Sequence, residues 1–329
     1  MKAVVTGGGG FLGGAVVRLL RQRGDSVRSF TRSAYPWLDE LGVEQSLGNL
    51  SDLESVERAV SGCDVVFHVA AKAGVWGRYS AYYSTNVVGT QNVIAACKTH
   101  GVRRLVYTST PSVVHAGGDN EGANESLPYP KHFDAAYPET KAKAEKAVLA
   151  ANGSDLATVS LRPHLIFGPG DPHLIPRIID SARAGKLKRI GNRPAKVDVT
   201  YIDNAAQSQL DAADRLDIGT APAGKAYFIS NGEPVELWPF VDRILAEAGL
   251  PPVTARVSAW KARLAGRVLE SVYWLFRLPG EPPMTRFVAN QMSTSHWYDI
   301  SAARRDLGYE PKVSVEEGLR RLGERLRLA

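Results

Sequence analysis

The sequence contains little cysteine: two thiols, Cys63 and Cys97, occur among 329 residues. They form no CxxC pair and have no histidine at metal-ligand spacing, so the sequence supports neither a disulfide scaffold nor a zinc site. Five histidines also lack ligand spacing and are expected to pack in the core or face solvent: His68, His115, His132, His164 and His173. We therefore predict no metal site, and a reducing cytoplasm as the compartment.

Long apolar runs are missing as well. No segment approaches the 18 or more uncharged residues of a membrane span, and the start MKAVVTGGGG has no signal-peptide pattern. Lysine and arginine total 40 against 34 acidic residues, a net charge of +6. This excess favours anionic partners: nucleotide phosphates, carboxylated substrates, nucleic acid or an anionic membrane surface. The basic segment KLKRIGNR at 186–193 has no interleaved aromatic residues, so a solvated turn is preferred to a nucleic-acid site.

Strand and helix patterns alternate through the first half of the chain. Predicted strands cover 2–6, 26–30, 65–69, 105–108 and 158–162, and predicted helices cover 11–23, 52–60, 79–100 and 137–151. The strands are apolar on both faces, which is typical of a parallel sheet covered by helices. We predict an α/β protein with a Rossmann-type doubly wound parallel sheet.

The pattern changes after Phe167. One more strand is expected at 226–230, and the chain is then mostly helical. These shifts predict a nucleotide-binding domain of residues 1–167 and 196–230. A smaller, mostly helical C-terminal substrate lobe would contain residues 168–195 and 231–329.

A helix is predicted at 260–278. At about 100° per residue, one narrow face carries Arg263, Arg267, Glu270, Trp274 and Arg277. The wide remainder is apolar and contains Leu264, Val268, Leu269, Val272, Tyr273, Leu275 and Phe276. Three interpretations stay open: core packing, a wall or lid of an alkyl-chain cavity, and an interfacial or oligomer-contacting helix.

Glycines at 7, 10 and 13 lie between the first predicted strand and the first predicted helix. Gly7 permits the tight turn, Gly10 lets the backbone approach a pyrophosphate, and Gly13 lets helix and strand pack closely. The helix N-terminus supplies free N–H groups for the phosphates. A merely flexible turn is the alternative.

The end of the second strand carries no acidic residue. NAD-preferring sites usually place one there to accept the ribose 2′-OH, whereas this chain has Arg32. A guanidinium fork suits a 2′-phosphate, so we predict NADP(H) as the cofactor. An exposed arginine without a ligand is the alternative.

Tyr137 and Lys141 are four residues apart at the start of a predicted helix, hence on one face. A neighbouring ammonium and a positive nicotinamide ring would favour the phenolate and lower the pKa of Tyr137 toward neutrality. The segment YTST at 107–110 ends the strand where open α/β sheets place their ligands. This spacing predicts acid–base chemistry at a nicotinamide site.

Six motifs in this order are similar to those of the extended short-chain dehydrogenase/reductase family. They are TGGGGFLG (6–13), VFHVAAKAG (66–74), STNVVGTQN (84–92), YTST (107–110), YPETK (137–141) and LRPHLIFGPG (161–170). The resemblance covers nearly the whole chain. It implies that Thr110 binds the substrate oxygen, that Tyr137 is the general acid–base, and that Lys141 assists it.

The same resemblance implies a set of cofactor contacts. Asn49 stands where many relatives have an aspartate that faces the adenine. The implied contacts, besides Arg32, Asn49, Tyr137 and Lys141, are Gly7, Gly10, Phe11, Leu12, Gly13, Leu50, Ala70, Ala71, Lys72, Asn86, Thr108, Pro163, Leu165 and Ile166.

Within the family, several segments resemble the branch that reduces 2-alkyl-3-oxoalkanoic acids in bacterial long-chain olefin biosynthesis. They are SFTRSAYPWLDELGV (29–43), AAKAGVWG (70–77), YTSTPSVVH (107–115), KAYFISNGEP (225–234), LPGEPPMTRF (278–287) and HWYDI (296–300). The resemblance implies NADPH-dependent reduction of the 3-oxo group. A 3β-hydroxysteroid or sterol dehydrogenase, a nucleotide-sugar epimerase, and a non-enzymatic NADP-binding scaffold or redox sensor are the alternatives.

The expected partners follow from that resemblance. A lipid-like small molecule is the predicted substrate, and Arg78 is a candidate for its carboxylate, with a surface arginine as the alternative. We also expect a homo-oligomer, no nucleic acid, contact with other olefin-pathway enzymes, and at most peripheral contact with a membrane.

Overall fold

A computed structural model describes residues 1–328 and confirms the α/β class. The strands, in chain order, are β1 (Lys2–Thr6), β2 (Ser26–Thr31), β3 (Glu44–Leu47), β4 (Val65–His68), β5 (Arg104–Thr108), β6 (Asn120–Ala123), β7 (Ala157–Pro163), β8 (Ile166–Phe167), β9 (Arg189–Ile190), β10 (Lys196–Val197), β11 (Thr200–Tyr201), β12 (Lys225–Ile229), β13 (Val235–Glu236), β14 (Arg256–Val257) and β15 (His296–Tyr298).

The α-helices are α1 (Phe11–Gln22), α2 (Pro36–Glu40), α3 (Leu53–Val60), α4 (Tyr79–Tyr82), α5 (Gly89–Thr99), α6 (Ala136–Ala150), α7 (Leu174–Arg183), α8 (Ile202–Arg215), α9 (Leu237–Glu247), α10 (Ala259–Leu275), α11 (Arg286–Gln291), α12 (Ser301–Leu307) and α13 (Val315–Arg327). The predicted helix 79–100 is α4 and α5 joined by a π-helical turn at Tyr83–Val88. A short 3-10 helix covers Pro111–Val113.

Seven parallel strands form the central sheet in the order β12-β7-β5-β4-β1-β2-β3. The order reverses beside β1, between β1 and β4, and open α/β sheets bind ligands at such a point, beyond the carboxyl ends of the strands. The edge strand β3, with the polar sequence EQSL, was not predicted. Its missing apolar alternation fits an edge position, where one side of the strand is unpaired.

The sheet is buried on both faces, as its apolar strands predicted. Val4, Val66 and Leu105 belong to the core beneath α3, α5 and α6. Val5 and Phe67 point the other way, into the larger core that includes α1 and α8. This alternation follows from the period of two along a strand.

A second sheet has the strand order β13-β10-β15-β6. It pairs β6, from the first half of the chain, with β15, near the C-terminal end. Helices α9 to α13 make the C-terminal region mostly helical. The domain boundaries at 167/168, 195/196 and 230/231 stay a prediction. Within residues 1–328, no helix combines the length and apolar character needed to cross a membrane.

The structure decides which sides of α10 are buried. Glu270, on the narrow face, is buried together with Ala262 and Gly266. The small residues allow close packing, since a Cβ on Gly266 would lie 2.7 Å from the backbone N of Arg286. Core packing is wrong for the apolar residues Trp260, Leu264, Val268, Leu275 and Phe276, which are exposed.

Candidate active site

The glycine loop after β1 is shaped by close backbone contacts. Gly7 has φ +73°, and a Cβ at Gly13 would lie 2.1 Å from the Gly7 carbonyl oxygen. Helix α1 begins after Gly10 without a hydrogen bond from a capping side chain, and Phe11 and Leu12 form its first turn. Its first N–H groups therefore suit a pyrophosphate, as the glycine spacing predicted.

The ends of β2 and β3 border the glycine loop. Arg32 is exposed and forms no ion pair with any of residues 1–328. Asn49 is also exposed, but its Oδ1 accepts a hydrogen bond from the backbone N–H of Ser51 at 3.1 Å. The Leu50 side chain is buried near Gly89. Of these three residues, Arg32 alone presents a free charged group.

The segment after β4 is hydrogen-bonded to β1 and to the π-helical turn. The Ala70 backbone N–H donates to Thr6 Oγ1 at 3.0 Å, and Ala70 lies against Gly7. The Asn86 side chain accepts from the Lys72 N–H at 2.7 Å and donates to the Lys72 carbonyl at 3.1 Å. Asn86 lies in the π-helical turn, a distortion common at functional sites. The fold thus brings Gly7, Ala70, Lys72 and Asn86 together, with Ala71 exposed between the two fastened residues.

Tyr137 lies in the first turn of α6, beside the end of β5. The Thr110 hydroxyl lies near its phenol, and Thr110 caps the Pro111–Val113 helix through the Ser112 N–H. Burial raises the pKa of Tyr137 to about 12, while the nearby Thr110 hydroxyl lowers it by less. The phenol is therefore protonated at neutral pH and is a proton donor.

Lys141 is buried one helical turn beyond Tyr137. Its Nζ donates to the Thr108 carbonyl at 2.6 Å and lies 4.1 Å from the centre of the Tyr107 ring. Burial lowers the pKa of Lys141 to about 7, and Glu145 partly opposes that shift. The expected lowering of the Tyr137 pKa by Lys141 is absent, because the ammonium points to Thr108 and burial of the phenol dominates.

The segment after β7 also lies at the carboxyl end of the central sheet. Pro163 is the last residue of β7, and Leu165 has a positive φ of 39°, which a branched side chain rarely adopts. The Leu165 carbonyl accepts from the Thr200 N–H at 3.3 Å, and Ile166 pairs with Thr200 across β8 and β11. His164 is buried and contacts His296 through Nε2···Nδ1 at 2.6 Å. This histidine packs in the interior, as predicted.

Tyr137 lines a cavity of about 140 Å³. Arg286 and Glu270 line it together, since Glu270 accepts from the Arg286 N–H at 2.7 Å and from Arg286 Nε at 2.6 Å. The other lining residues are Val75, Trp76, Gly77, Tyr82, Asp134, Ala135 and Ala136. A cavity of this size holds roughly one benzene molecule.

Arg78 is exposed and does not line this cavity. The sequence analysis did not select Arg286, Asp134 or Glu270 as site residues, and it placed Glu270 only on the narrow face of the predicted helix 260–278. The segment LPGEPPMTRF, which contains Arg286, was noted as a family motif and was the available signal. No cluster of three histidine, cysteine or acidic side chains suitable for a metal ion occurs within residues 1–328.

Comparisons with known proteins agree with this geometry. The model of the 3-beta hydroxysteroid dehydrogenase/isomerase family matches residues 4–257. The chain is 54% identical over 325 residues to the 2-alkyl-3-oxoalkanoate reductase of Stenotrophomonas maltophilia (strain K279a), covering 98% of each chain. It is 52% identical over 328 residues to the enzyme of that name from Shewanella oneidensis, covering 97% of this chain and 85% of the relative.

Solved structures show the same architecture. The structure of MoeE5 in complex with UDP-glucose and NAD superposes with a TM-score of 0.76 at 25% identity, over 100% of this chain and 99% of that chain. The glycine loop, the Tyr137/Lys141 pair and these matches identify an oxidoreductase. The chain belongs to the 3-beta hydroxysteroid dehydrogenase/isomerase family, within the extended short-chain dehydrogenases/reductases that its motifs predicted.

Proposed function

We propose that the protein reduces a long-chain 2-alkyl-3-oxoalkanoic acid to the 2-alkyl-3-hydroxyalkanoic acid, with NADPH as the reductant. The observation that carries this proposal is that the Tyr137 phenol, with the Thr110 hydroxyl nearby, lines a cavity that Arg286 also lines. The likeness to two 2-alkyl-3-oxoalkanoate reductases over nearly the whole chain supports the choice of substrate.

The proton in this reaction comes from Tyr137. Because its pKa is raised to about 12, the phenol carries its proton at neutral pH and can give it to the 3-oxygen. Thr110 donates a hydrogen bond to the same oxygen and holds it beside the phenol. Lys141, whose Nζ is held by the Thr108 carbonyl at 2.6 Å, would assist as a cofactor contact and not by lowering the pKa of Tyr137.

NADPH, when bound, supplies the hydride for the 3-carbon. The glycine loop fits a dinucleotide, since a side chain at Gly13 would overlap the Gly7 carbonyl and the first N–H groups of α1 lack a capping side chain. We propose that the backbone groups around Ala70 and Lys72 contact the same cofactor. The other cofactor contacts that the family resemblance implies are part of this proposal.

NADPH is proposed over NADH because Arg32 is an exposed cation without an ion-pair partner in the described chain. Measured dissociation constants should favour NADPH, and Arg32→Asp should lose most of that preference, because it replaces an attractive charge by a repulsive one. Arg28→Gln is a matched control that removes a charge on the same strand, where Arg28 is paired with Glu44. Equal affinities for the two cofactors in the unmodified protein would refute this assignment.

Arg286 is the proposed partner of the substrate carboxylate. Its Nε is held by Glu270 at 2.6 Å, which leaves the two terminal amino groups of the guanidinium for a ligand. Such a fork suits a carboxylate. Arg286→Gln should raise KM for the acid more than for its methyl ester, and equal effects on acid and ester would contradict this role.

The test of the reaction is spectrophotometric. NADPH oxidation is followed with 2-alkyl-3-oxo acids, steroids and nucleotide-sugars, and only the oxo acids should be reduced rapidly. Tyr137→Phe should lower kcat about a hundredfold or more, since acid–base catalysis contributes roughly 10²–10⁴. Tyr82→Phe is the matched control, because Tyr82 lines the same cavity but donates to the Trp76 carbonyl. Near-normal turnover of Tyr137→Phe would show that Tyr137 is not the proton donor.

The family match itself supports a second candidate function, the oxidation of a 3β-hydroxysteroid or sterol. The steroid arm of the same panel tests it, since rapid reduction of NADP⁺ with a sterol and none of the oxo acid would favour this candidate. A non-enzymatic scaffold would turn over nothing in the panel.

Cytoplasmic location, a homo-oligomer and contact with other enzymes of an olefin pathway are the remaining parts of the proposal. The cytoplasmic location rests on the two unpaired cysteines, and the homo-oligomer and the pathway contacts rest on the family resemblance. The smaller helical region would be the substrate lobe.

A further inference from the structure

Helix α10 exposes an apolar surface that the catalytic site does not use. Trp260, Leu264, Val268 and Leu275, called the apolar stripe below, have exposed fractions between 53% and 66%. At about 100° per residue they lie within a sector of about 80°, so they form one continuous line along the helix. The opposite side of α10 is the buried one, with Ala262 and Gly266.

The surface continues at the C-terminal end of the helix. Trp274 is 77% exposed beside the stripe, and Phe276 and Leu278, just beyond α10, are exposed as well. Tryptophan at both ends of an apolar face is typical of segments that lie at the boundary between lipid and water.

All exposed charged residues within 260–278 are positive. Lys261, Arg263 and Arg267 flank the stripe, and Arg277 follows it; none forms an ion pair with another residue of the described chain. The one acidic residue of α10 is Glu270, which is buried against Arg286. An apolar face bordered by unpaired cations matches a helix that lies in the plane of an anionic bilayer.

A cleft of about 340 Å³ adjoins the N-terminal end of the stripe. Arg263 lines it together with Trp260, Asn192 and Arg193, which is paired with Asp119. The unpaired guanidinium of Arg263 next to an apolar side chain suits the phosphate of a lipid headgroup.

The same helix is a wall of the catalytic cavity. Glu270 lines the cavity, and Tyr273 packs edge-on against Trp76, which also lines it, with ring centres 6.4 Å apart. The cavity of about 140 Å³ cannot enclose two long alkyl chains. Such chains would extend beyond the cavity, whose wall includes α10.

We propose that the apolar stripe of α10 rests on the surface of an anionic lipid bilayer and that the catalytic cavity receives its long-chain substrate there. A second copy of this chain fits less well. A two-fold contact through the stripe would bring the cations at Arg263 and Arg267 of both copies together, and like charges oppose such a contact. The bilayer contact stands on the surface alone, whereas the delivery of substrate rests on the proposed function.

Co-sedimentation with vesicles tests the contact. The full chain should bind vesicles of equal parts phosphatidylcholine and phosphatidylglycerol, and bind phosphatidylcholine vesicles weakly. Leu264→Gln/Val268→Gln should weaken binding at least about tenfold, since two apolar side chains leave the lipid. Leu47→Gln/Leu53→Gln is the matched control, because both residues are exposed leucines of the nucleotide-binding half.

Charge is tested separately. Arg263→Gln/Arg267→Gln should weaken binding to the anionic vesicles about fivefold for each charge removed, and high salt should do the same. Arg58→Gln/Arg103→Gln removes the same net charge elsewhere and should leave binding unchanged; both of these arginines are exposed.

The delivery of substrate has its own readout. Vesicles should raise turnover of a long-chain oxo acid but not of a short, dissolved one, and Leu264→Gln/Val268→Gln should abolish the stimulation while keeping turnover of the short acid. Inactivity on every oxo acid, with vesicle binding intact, would refute the proposed function and the delivery but leave the bilayer contact standing.

Three results would overturn the bilayer contact. The first is a failure of the unmodified protein to bind anionic vesicles, and the second is equal binding by Leu264→Gln/Val268→Gln. The third is a dimer by light scattering that this double substitution converts to a monomer, which would make the stripe a subunit interface.

Discussion

Asn86 is the residue whose removal most directly tests how the loop after β4 is held. Its side chain is 2% exposed and makes three hydrogen bonds. It accepts from the Lys72 N–H at 2.7 Å, donates to the Lys72 carbonyl at 3.1 Å, and donates to Thr140 Oγ1 at 3.0 Å. Asn86→Ala removes all three without placing a new atom in the core.

The magnitude follows from these contacts. A typical hydrogen bond contributes about 0.5–1.5 kcal/mol, and a buried group left without a partner costs about 1–3 kcal/mol. Thr140 keeps a partner, because its hydroxyl also donates to the Ala136 carbonyl at 2.7 Å. The two Lys72 groups are half-buried and can bond to water, so Asn86→Ala should lower the free energy of unfolding by the loss of three hydrogen bonds, roughly 1.5–4.5 kcal/mol.

Asn92→Ala is a control on the next helix, α5. Asn92 has the same side chain but makes one hydrogen bond, to the Leu50 carbonyl at 2.8 Å. Its loss should cost about 1 kcal/mol. Urea unfolding of both variants gives the comparison, and titration with NADPH should show weaker binding for Asn86→Ala, because Ala70 and Lys72 border the glycine loop. The reasoning is refuted if the two variants lose equal stability and bind NADPH equally.

Two further predictions concern the glycine loop and the buried histidines. Gly13→Ala should abolish NADPH binding, because its Cβ would lie 2.1 Å from a backbone oxygen. Gly118→Ala is the control and should bind NADPH normally, because its added atom meets open space. Comparable affinities of the two variants would contradict this steric account. Burial lowers the pKa of His68 to about 3, so below pH 6.5 His68 binds a proton in the unfolded chain but not in the folded chain. The free energy of unfolding should therefore fall, between pH 6.5 and about 3, by up to about 1.4 kcal/mol per pH unit more than in His68→Gln. That difference is the measured quantity, because Asp198, whose pKa burial raises to about 7, acts in the opposite direction in both proteins. Parallel stability curves would show that His68 carries no such linkage.

The sequence by itself predicted the features that depend on short-range spacing. The glycines at 7, 10 and 13 serve one turn, and the fixed rise of a helix puts Tyr137 and Lys141 on one face. The apolar strands predicted a sheet buried on both sides, and parallel strands bring their carboxyl ends to one edge. Local geometry therefore predicted the glycine loop and the Tyr137/Lys141 pair, whereas most of the other candidate contacts came from the family resemblance.

The direction of the Lys141 ammonium depended on tertiary structure. Spacing places Lys141 near Tyr137, but the carbonyl of Thr108 and the ring of Tyr107, on a strand more than 30 residues earlier, attract its charge. The pairing of Asn86 with Lys72 likewise depends on how two loops meet. Hydrogen bonds between segments distant in sequence leave no periodic signal.

Helix α10 shows the same division most clearly. Periodicity established which of its residues share a face, yet it could not establish which face meets the protein. Small residues at Ala262 and Gly266 allow α11 to approach, and Glu270 pairs with Arg286, so the polar face is partly buried. Part of the apolar face, including Leu264 and Val268, is exposed. Arg286 enters the cavity through that same contact. A helix buries the face for which the fold supplies a partner, and that partner is determined only when the whole chain has folded.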